Sequence, residues 1–369
     1  MATGTEGQVL AMPEAAMAII TAKVQAGSRI SDDEFFLLER DADLYQLGFL
    51  ADSIRRRLHP EGQVTYVVDR NVNYTDICTS ACKFCAFFKA PEDQSGYLLT
   101  FDQLEQKIRE TQELGGTQIL LQGGLHPDKP LEYYEEMLRF MKTTGIHVHG
   151  FSPPEVCHFA TLSGLSIREV LQRLIAAGLD SIPGGGAEIL SDRVRQATAP
   201  RKCSADQWIE VMEEAHNQGL RTTATMMFGH IETIPERLEH LRRLRDLQDR
   251  TGGFTAFIPW PFQPDNTALS QQVEIEKTTG LGYLRMLALS RIYLNNFVNV
   301  QASWVTQGPK IAQLSLFFGA NDFGSTMLEE NVVAAAGVSF RLSESEIRRL
   351  VVDAGFEPRQ RLMDYTLIK

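Results

Sequence analysis

The chain has 369 residues, 43% of them hydrophobic, and a formal net charge of −11, which is material for one large domain or two ordinary ones. That acidity excludes a nucleic-acid surface, which would show a basic stripe; Arg55-Arg56-Arg57, soon followed by Pro60, reads as a solvated helix end. No apolar run approaches the ~18 residues of a membrane span, and the N-terminal stretch lacks the basic and long apolar regions of an export signal, so a cytoplasmic protein with no membrane or nucleic-acid partner is expected.

Residues 13–58 read as helices. Pro13 sits near a helix start, and Ser31-Asp32-Asp33-Glu34 forms a cap before FFLLER. Leu47, Leu50 and Ile54 continue a helical stripe. From Val64 onward short apolar runs alternate with amphipathic helices. The expected strands are 64–68 running on to Tyr74, then 117–122, 147–151, 179–183, 221–228, 254–259, 298–304 and 315–320. Eight strands with intervening helices over about 260 residues predict a (β/α)8 TIM-type barrel. A doubly wound open sheet is the alternative, and it more often carries fewer strands. LSESEIRRLVVDAGF opens on a capping box at Ser343 and Glu346 and predicts a C-terminal helix with a strand-like tail. The expected organisation is a helical segment over 1–60, the barrel over 61–330, and a C-terminal helix and tail over 331–369 packed on it.

In such a barrel the chemistry lies at the C-terminal ends of the strands. The stretches there are rich in Gly, Pro and polar residues: the loop Cys78–Cys85, then QGGLHP, SPPE, PGGGAE, FGH, PWPFQP, SWVTQGPK and GANDFGST. His126, His149, Glu155, His230, Gln301, Ser303, Lys310, Asn321 and Asp322 lie at or just beyond these ends as candidate ligand contacts. Asp322 is a candidate proton acceptor, because acidic residues rarely sit buried without a partner. His147 and Arg221 open their strands and are expected to point to the far face. Trp260, Phe262 and Gln263 share a proline-stiffened loop that would make a wall for a flat ligand.

The most specific signal is Cys78, Cys82 and Cys85, spaced C-x3-C-x2-C with Phe84 before the last. Three thiolates from one loop can hold three corners of a cubane iron–sulfur cluster. The fourth Cys of a ferredoxin does not follow, so one iron stays open for a small molecule. A structural zinc site wants four ligands in a closed tetrahedron, and only Cys157 with His158 offers a distant fourth. A disulfide framework does not suit a chain of this length with five cysteines and no export signal.

The C-x3-C-x-aromatic-C pattern resembles the radical SAM superfamily. That resemblance implies a 4Fe–4S cluster on Cys78, Cys82 and Cys85, whose open iron chelates S-adenosylmethionine (SAM), with Phe84 near the adenine. It implies that Gln122, Gly123 and Gly124 receive the methionine amino group, where close backbone approach needs glycine. Glu188, after three glycines, becomes a candidate for the ribose hydroxyls or amino group of SAM, and Ser152 for its carboxylate. Over roughly residues 20–365, NVNYTDICTSACKFCAFF, GGTQILLQGGLHP, SIPGGGAEIL, RTTATMMFGH, GGFTAFIPWPFQPDNTAL, QASWVTQGPK and GANDFGSTMLEENVV together resemble the cyclic dehypoxanthinyl futalosine synthase family of menaquinone biosynthesis. Aminofutalosine synthases and deazaflavin (FO) synthase components share several of these segments; FIPWPFQP and SWVTQGPK favour the cyclase. Thr79-Ser80-Ala81 departs from the family, where larger residues are common, and leaves the ligands intact.

The resemblance implies a small-molecule substrate, dehypoxanthine futalosine, and reduced flavodoxin or ferredoxin as electron donor. A 5′-deoxyadenosyl radical would remove the ribose C4′ hydrogen, and the carbon radical would add to the benzoate ring. Asp322, His126 and His149 are the candidates for the base that takes the final proton. His230, Gln263, Gln301, Ser303, Lys310 and Asn321 are the candidate substrate contacts, with Lys310 for the carboxylate. The other readings are a different radical SAM reaction on the same fold, and a zinc or electron-transfer protein without SAM chemistry.

Overall fold

Parallel strands need crossover connections, and the helical runs between the apolar segments supply them. The computed structural model describes residues 6–368. Its strands are β1 (Gln63–Val67), β2 (Asp69–Asn73), β3 (Gln118–Gln122), β4 (His147–Gly150), β5 (Ser181–Ile182), β6 (Arg221–Phe228), β7 (Phe254–Pro261), β8 (Asn299–Val300), β9 (Asp322–Ser325) and β10 (Glu357–Gln360). Seven of them form a curled parallel sheet in chain order, β2 to β8. The first expected strand is bent at Val68 into β1 and β2. β1 pairs in parallel with β9 and with β10, and Gln301, just past β8, bridges to Asp322. Hydrogen bonding therefore runs from β2 round to β8, on to β9 and back to β1. The architecture is the α/β barrel type that the alternation predicts.

The eighth strand is not where apolarity placed it. Residues 315–320 end the helix Trp304–Ser315 and turn at Gly319, whose φ is 97°, and the strand is Asp322–Ser325. The two phenylalanines of that run serve other contacts. Phe318 packs so closely on Gly48 that a Cβ there would lie 2.9 Å from the ring, and Phe317 meets Phe356 at 5.5 Å.

The lead-in helices are Glu6–Gln25, Asp32–Asp41 and Leu44–Leu58, the first beginning before Pro13. The Ser31–Glu34 capping box is present, and Phe35, Leu38, Leu47, Leu50 and Ile54 are buried. At the other end the Ser343–Glu346 box opens the helix Glu344–Asp353. The tail beyond it does more than pack on the outside. β10 lies beside β1, and the next residue, Arg361, is buried in an ion pair with Asp322.

Candidate active site

The three-thiol loop leaves the end of β2 and is pinned by backbone bonds from several directions. Cys78 N–H donates to the Lys89 carbonyl at 2.9 Å, Thr79 N–H to Leu125 at 3.0 Å, and Lys83 N–H to Thr198 at 2.8 Å. Ala81 has a φ of 47°, a region where a small side chain is least strained, and Ser80 Oγ lies 3.1 Å from Cys82 Sγ. The small Thr79-Ser80-Ala81 segment thus fits a tight turn between ligands. Gly123 and Gly124 have a packing reason to lack side chains. A Cβ on Gly123 would sit 2.5 Å from the Tyr74 ring, and one on Gly124 would sit 2.2 Å from the Ile77 carbonyl oxygen.

Two adjoining chambers open at this end of the barrel, of about 250 and 280 Å³. The outer one is lined by Cys78, Cys82, Cys85, Phe84, Gln122, Gly123, Gly124, Ser152, Glu188 and Gln263. All three thiols and every expected SAM contact face it. The inner one lies inside the barrel, with Asp69, His149, Gln301, Ser303, Glu330 and Arg361 on its wall. Gln122, Gly185, Gly186, Glu188, Trp260, Val332 and Val333 belong to both. A molecule in one chamber therefore meets its neighbour directly.

The outer chamber's carboxylates are engaged. Asp76 accepts from Tyr97 N–H at 2.7 Å. Glu155 accepts from the Tyr74 hydroxyl at 2.7 Å, Gly123 N–H at 3.0 Å and the Ser152 hydroxyl at 2.6 Å. Glu188 pairs with Lys202 at 2.9 Å and Arg195 at 3.6 Å. Lys202 also lies 5.1 Å from the Phe84 ring centre. Three thiols with no uncommitted fourth donor are what a cubane with one open iron requires. Among the described residues no three His, Cys, Asp or Glu side chains gather around a single ion. The zinc alternative's fourth ligand is elsewhere: Cys157 is a free thiol beside the free thiol of Cys203, and His158 bonds to the His126 carbonyl at 2.8 Å.

Five expected contacts face neither chamber. Asp322 is fully buried, held by Arg361, by the Thr65 hydroxyl at 2.7 Å and by Gly324 N–H at 2.6 Å. Asn321 accepts from Arg291 at 2.7 Å and from Val300 N–H at 2.9 Å. The His230 ring bonds through Nε2 to the Met227 carbonyl at 3.1 Å, and its Nδ1 lies 3.1 Å from Glu232 without a hydrogen bond. His126 accepts from Asp128 N–H at 3.2 Å, and Lys310 lies on the helix Trp304–Ser315 away from both cavities. Sequence reasoning missed Lys202, Asp69, Glu330 and Arg361. A single acid or base outside a motif carries no spacing signal, and Arg361 lies in a tail that looked purely structural.

The fold and the three-thiol chamber define a radical SAM enzyme, one that uses a 4Fe–4S cluster and SAM. Residues 72–244 match the Radical SAM superfamily, and residues 251–369 match the CofH/MqnC C-terminal region. The chain is 47% identical to the cyclic dehypoxanthine futalosine synthase of Streptomyces coelicolor, over 93% of this chain and 86% of that one. It is 42% identical to a 5-amino-6-(D-ribitylamino)uracil–L-tyrosine 4-hydroxyphenyl transferase of Archaeoglobus fulgidus, over 88% and 94%. In fold it is similar to the FeFe-hydrogenase maturase HydG from Carboxydothermus hydrogenoformans (TM-score 0.75, 16% identity, 97% of this chain and 82% of that one). The chain belongs to the radical SAM family that contains the cyclic dehypoxanthine futalosine synthases. Among the described residues, no helix is long and apolar enough to cross a membrane.

Proposed function

We propose that this chain is a spirocyclase that converts dehypoxanthine futalosine to cyclic dehypoxanthine futalosine in menaquinone biosynthesis. The reading is carried by the inner chamber, which shares a wall with the thiol-lined one, so that a substrate is presented directly to a radical source and little else. The 47% identity to the Streptomyces coelicolor enzyme supports the choice of substrate.

A 4Fe–4S cluster held by Cys78, Cys82 and Cys85, with SAM beside it, would supply the one-electron chemistry that takes a hydrogen atom from the substrate and receives one electron back. The overall change removes the ribose C4′ hydrogen, joins that carbon to the benzoate ring and sheds one proton and one electron. In this reading Cys78, Cys82 and Cys85 hold the cluster, while Phe84, Gln122, Gly123, Gly124, Ser152 and Glu188 position SAM. Trp260, on the wall common to both chambers, sets the two ligands edge to edge. Gln301 and Ser303 bind substrate hydroxyls, Gln263 closes the outer rim, and Arg361 replaces Lys310 as the cation nearest the substrate. Val332 and Val333 cover both chambers and exclude water, which confines a radical that would attack most C–H bonds it met. His149 replaces Asp322 as the base, because its ring lines the inner chamber. Reduced flavodoxin or ferredoxin supplies the electron.

The test is anaerobic incubation with dehypoxanthine futalosine, SAM and dithionite, following the spiro product by mass spectrometry. Cys82→Ala should abolish it. Turnover only of a tyrosine-linked or enolpyruvyl substrate would move the chain to a sister activity.

A further inference from the structure

The inner chamber must lose a proton if the reaction proposed above is right. Asp69 lines it, yet both its oxygens are occupied, one by the Ser325 hydroxyl and the other by Gln118 Nε2 at 2.6 Å. His149 is different. Its Nδ1 lies 2.7 Å from Ser181 Oγ, and the same oxygen lies 2.7 Å from His147 Nε2. β4 and β5 pair in the register His149↔Ser181, which fixes the first contact. The two-residue period of a strand puts His147 on the same side, one layer lower. Ser181 is wholly buried and His149 nearly so, whereas His147 is partly exposed at the lower rim.

We propose that His149, Ser181 and His147 form a proton relay that carries the substrate's proton from the inner chamber, through the barrel floor, to solvent. The Ser181 hydroxyl has one hydrogen and both imidazoles at bonding distance, so it can donate to one ring while accepting from the other. For export, His149 Nδ1–H donates to Ser181 and the Ser181 hydroxyl donates to His147 Nε2, which leaves His149 Nε2 bare toward the substrate. That nitrogen takes the ring proton as the substrate's C–H bond breaks. The Nδ1 hydrogen passes to Ser181, the hydroxyl hydrogen passes to His147, and His147 Nδ1 gives one proton to water. The accompanying electron would go to the cluster held by Cys78, Cys82 and Cys85, so that charge and atoms balance. Burial depresses the His149 pKa to about 3, which makes it a poor resting place for charge. A proton accepted there has to move on. Around His147 stand Asp180, Lys142 and Asp364, polar company suited to an exit.

The relay rests on the spirocyclase reading, so its test carries a readout that survives if that reading fails. With 4′-deuterated substrate, the Ser181→Ala holoenzyme should still move deuterium into 5′-deoxyadenosine. Its ratio of spiro product to 5′-deoxyadenosine should fall roughly tenfold, while Ser181→Thr, which keeps the hydroxyl, should restore much of it. His147→Phe should lower the ratio in the same way. An unchanged ratio in both Ser181→Ala and His147→Phe overturns the relay while leaving the cyclase intact. Independently, 15N-histidine NMR of the full chain with its cluster oxidised should find His149 as the Nδ1–H tautomer. The Nε2–H tautomer overturns the relay whatever the substrate proves to be.

Discussion

What a carboxylate can do depends on what its oxygens already touch. Asp322 has the sequence context of a base, but the structure commits it to Arg361 and Thr65 with no exposure at all. Removing one partner of a buried ion pair strands the other charge, at a cost of about 3–5 kcal/mol. Asp322→Asn should therefore lower the urea midpoint markedly and, because Arg361 loses its anchor, raise the KM for substrate while kcat per folded chain is largely kept; loss of a catalytic base would instead cut kcat. Gly124 gives a second prediction at this scale. A methyl group there would collide with the Ile77 carbonyl oxygen and the Cys78 Cβ, and backbone cannot yield as a flexible side chain can. Gly124→Ala should reduce iron bound per chain and the visible cluster absorbance, even after anaerobic reconstitution. These cases show what sequence carries. The cluster ligands sit within eight positions and announce themselves by spacing. The partners of Asp322 come from opposite ends of the chain, so nothing local records them.

At the level of elements, the segment after β9 couples folding to the site. Glu330 accepts from Val332 N–H at 3.0 Å, Val333 N–H at 2.8 Å and Ala334 N–H at 2.9 Å, which starts the short helix Val332–Ala335. The carboxylate thus caps orphan N–H groups while Val332 and Val333 cover both chambers. Losing a cap costs about 1 kcal/mol, enough to loosen a single-turn element. Glu330→Ala should raise the KM for substrate more than it lowers kcat, and should open a protease-sensitive site near residue 332. Elements with strong local signals were legible. The boxes at Ser31 and Ser343 are where the S-x-x-E pattern puts them, because capping is a contact over three residues. β9 was not legible, since DFGS has one apolar residue, Phe323, and no alternation. It is held by pairing with β1 and by the polar contacts of Asp322 and Ser325, while the more apolar 315–320 run serves helix packing.

For the molecule as a whole, burial of imidazoles sets the response to acid. Seven of the eight histidines have pKa values pushed below the ordinary 6.5, with burial the largest cause each time. His149 and His240 are driven to about 3 and His216 to about 4. Between those values and 6.5 the unfolded chain binds protons that the folded chain refuses. Stability is therefore fully present above pH 6.5 and falls as the pH drops through that window. Each fully shifted group contributes a slope of about 1.4 kcal/mol per pH unit, so the three together give on the order of 3–4. Exposed carboxylates have hardly begun to titrate at pH 5.5, while burial raises the pKa values of Asp69, Glu155 and Glu330, so these take up protons in the folded chain and offset part of the loss. Urea midpoints should still drop between pH 6.5 and 5.5, and the histidine share is read from the change that removing one ring makes. His216→Gln removes one contributor far from both chambers, where the ring bridges the hydroxyls of Thr251 and Thr222 at 2.7 Å each. Its profile should be shallower by about a third of the combined slope with turnover retained. The same burial that disfavours a charged imidazole makes His149 suited to the relay, because a proton accepted there is not held and passes on to Ser181.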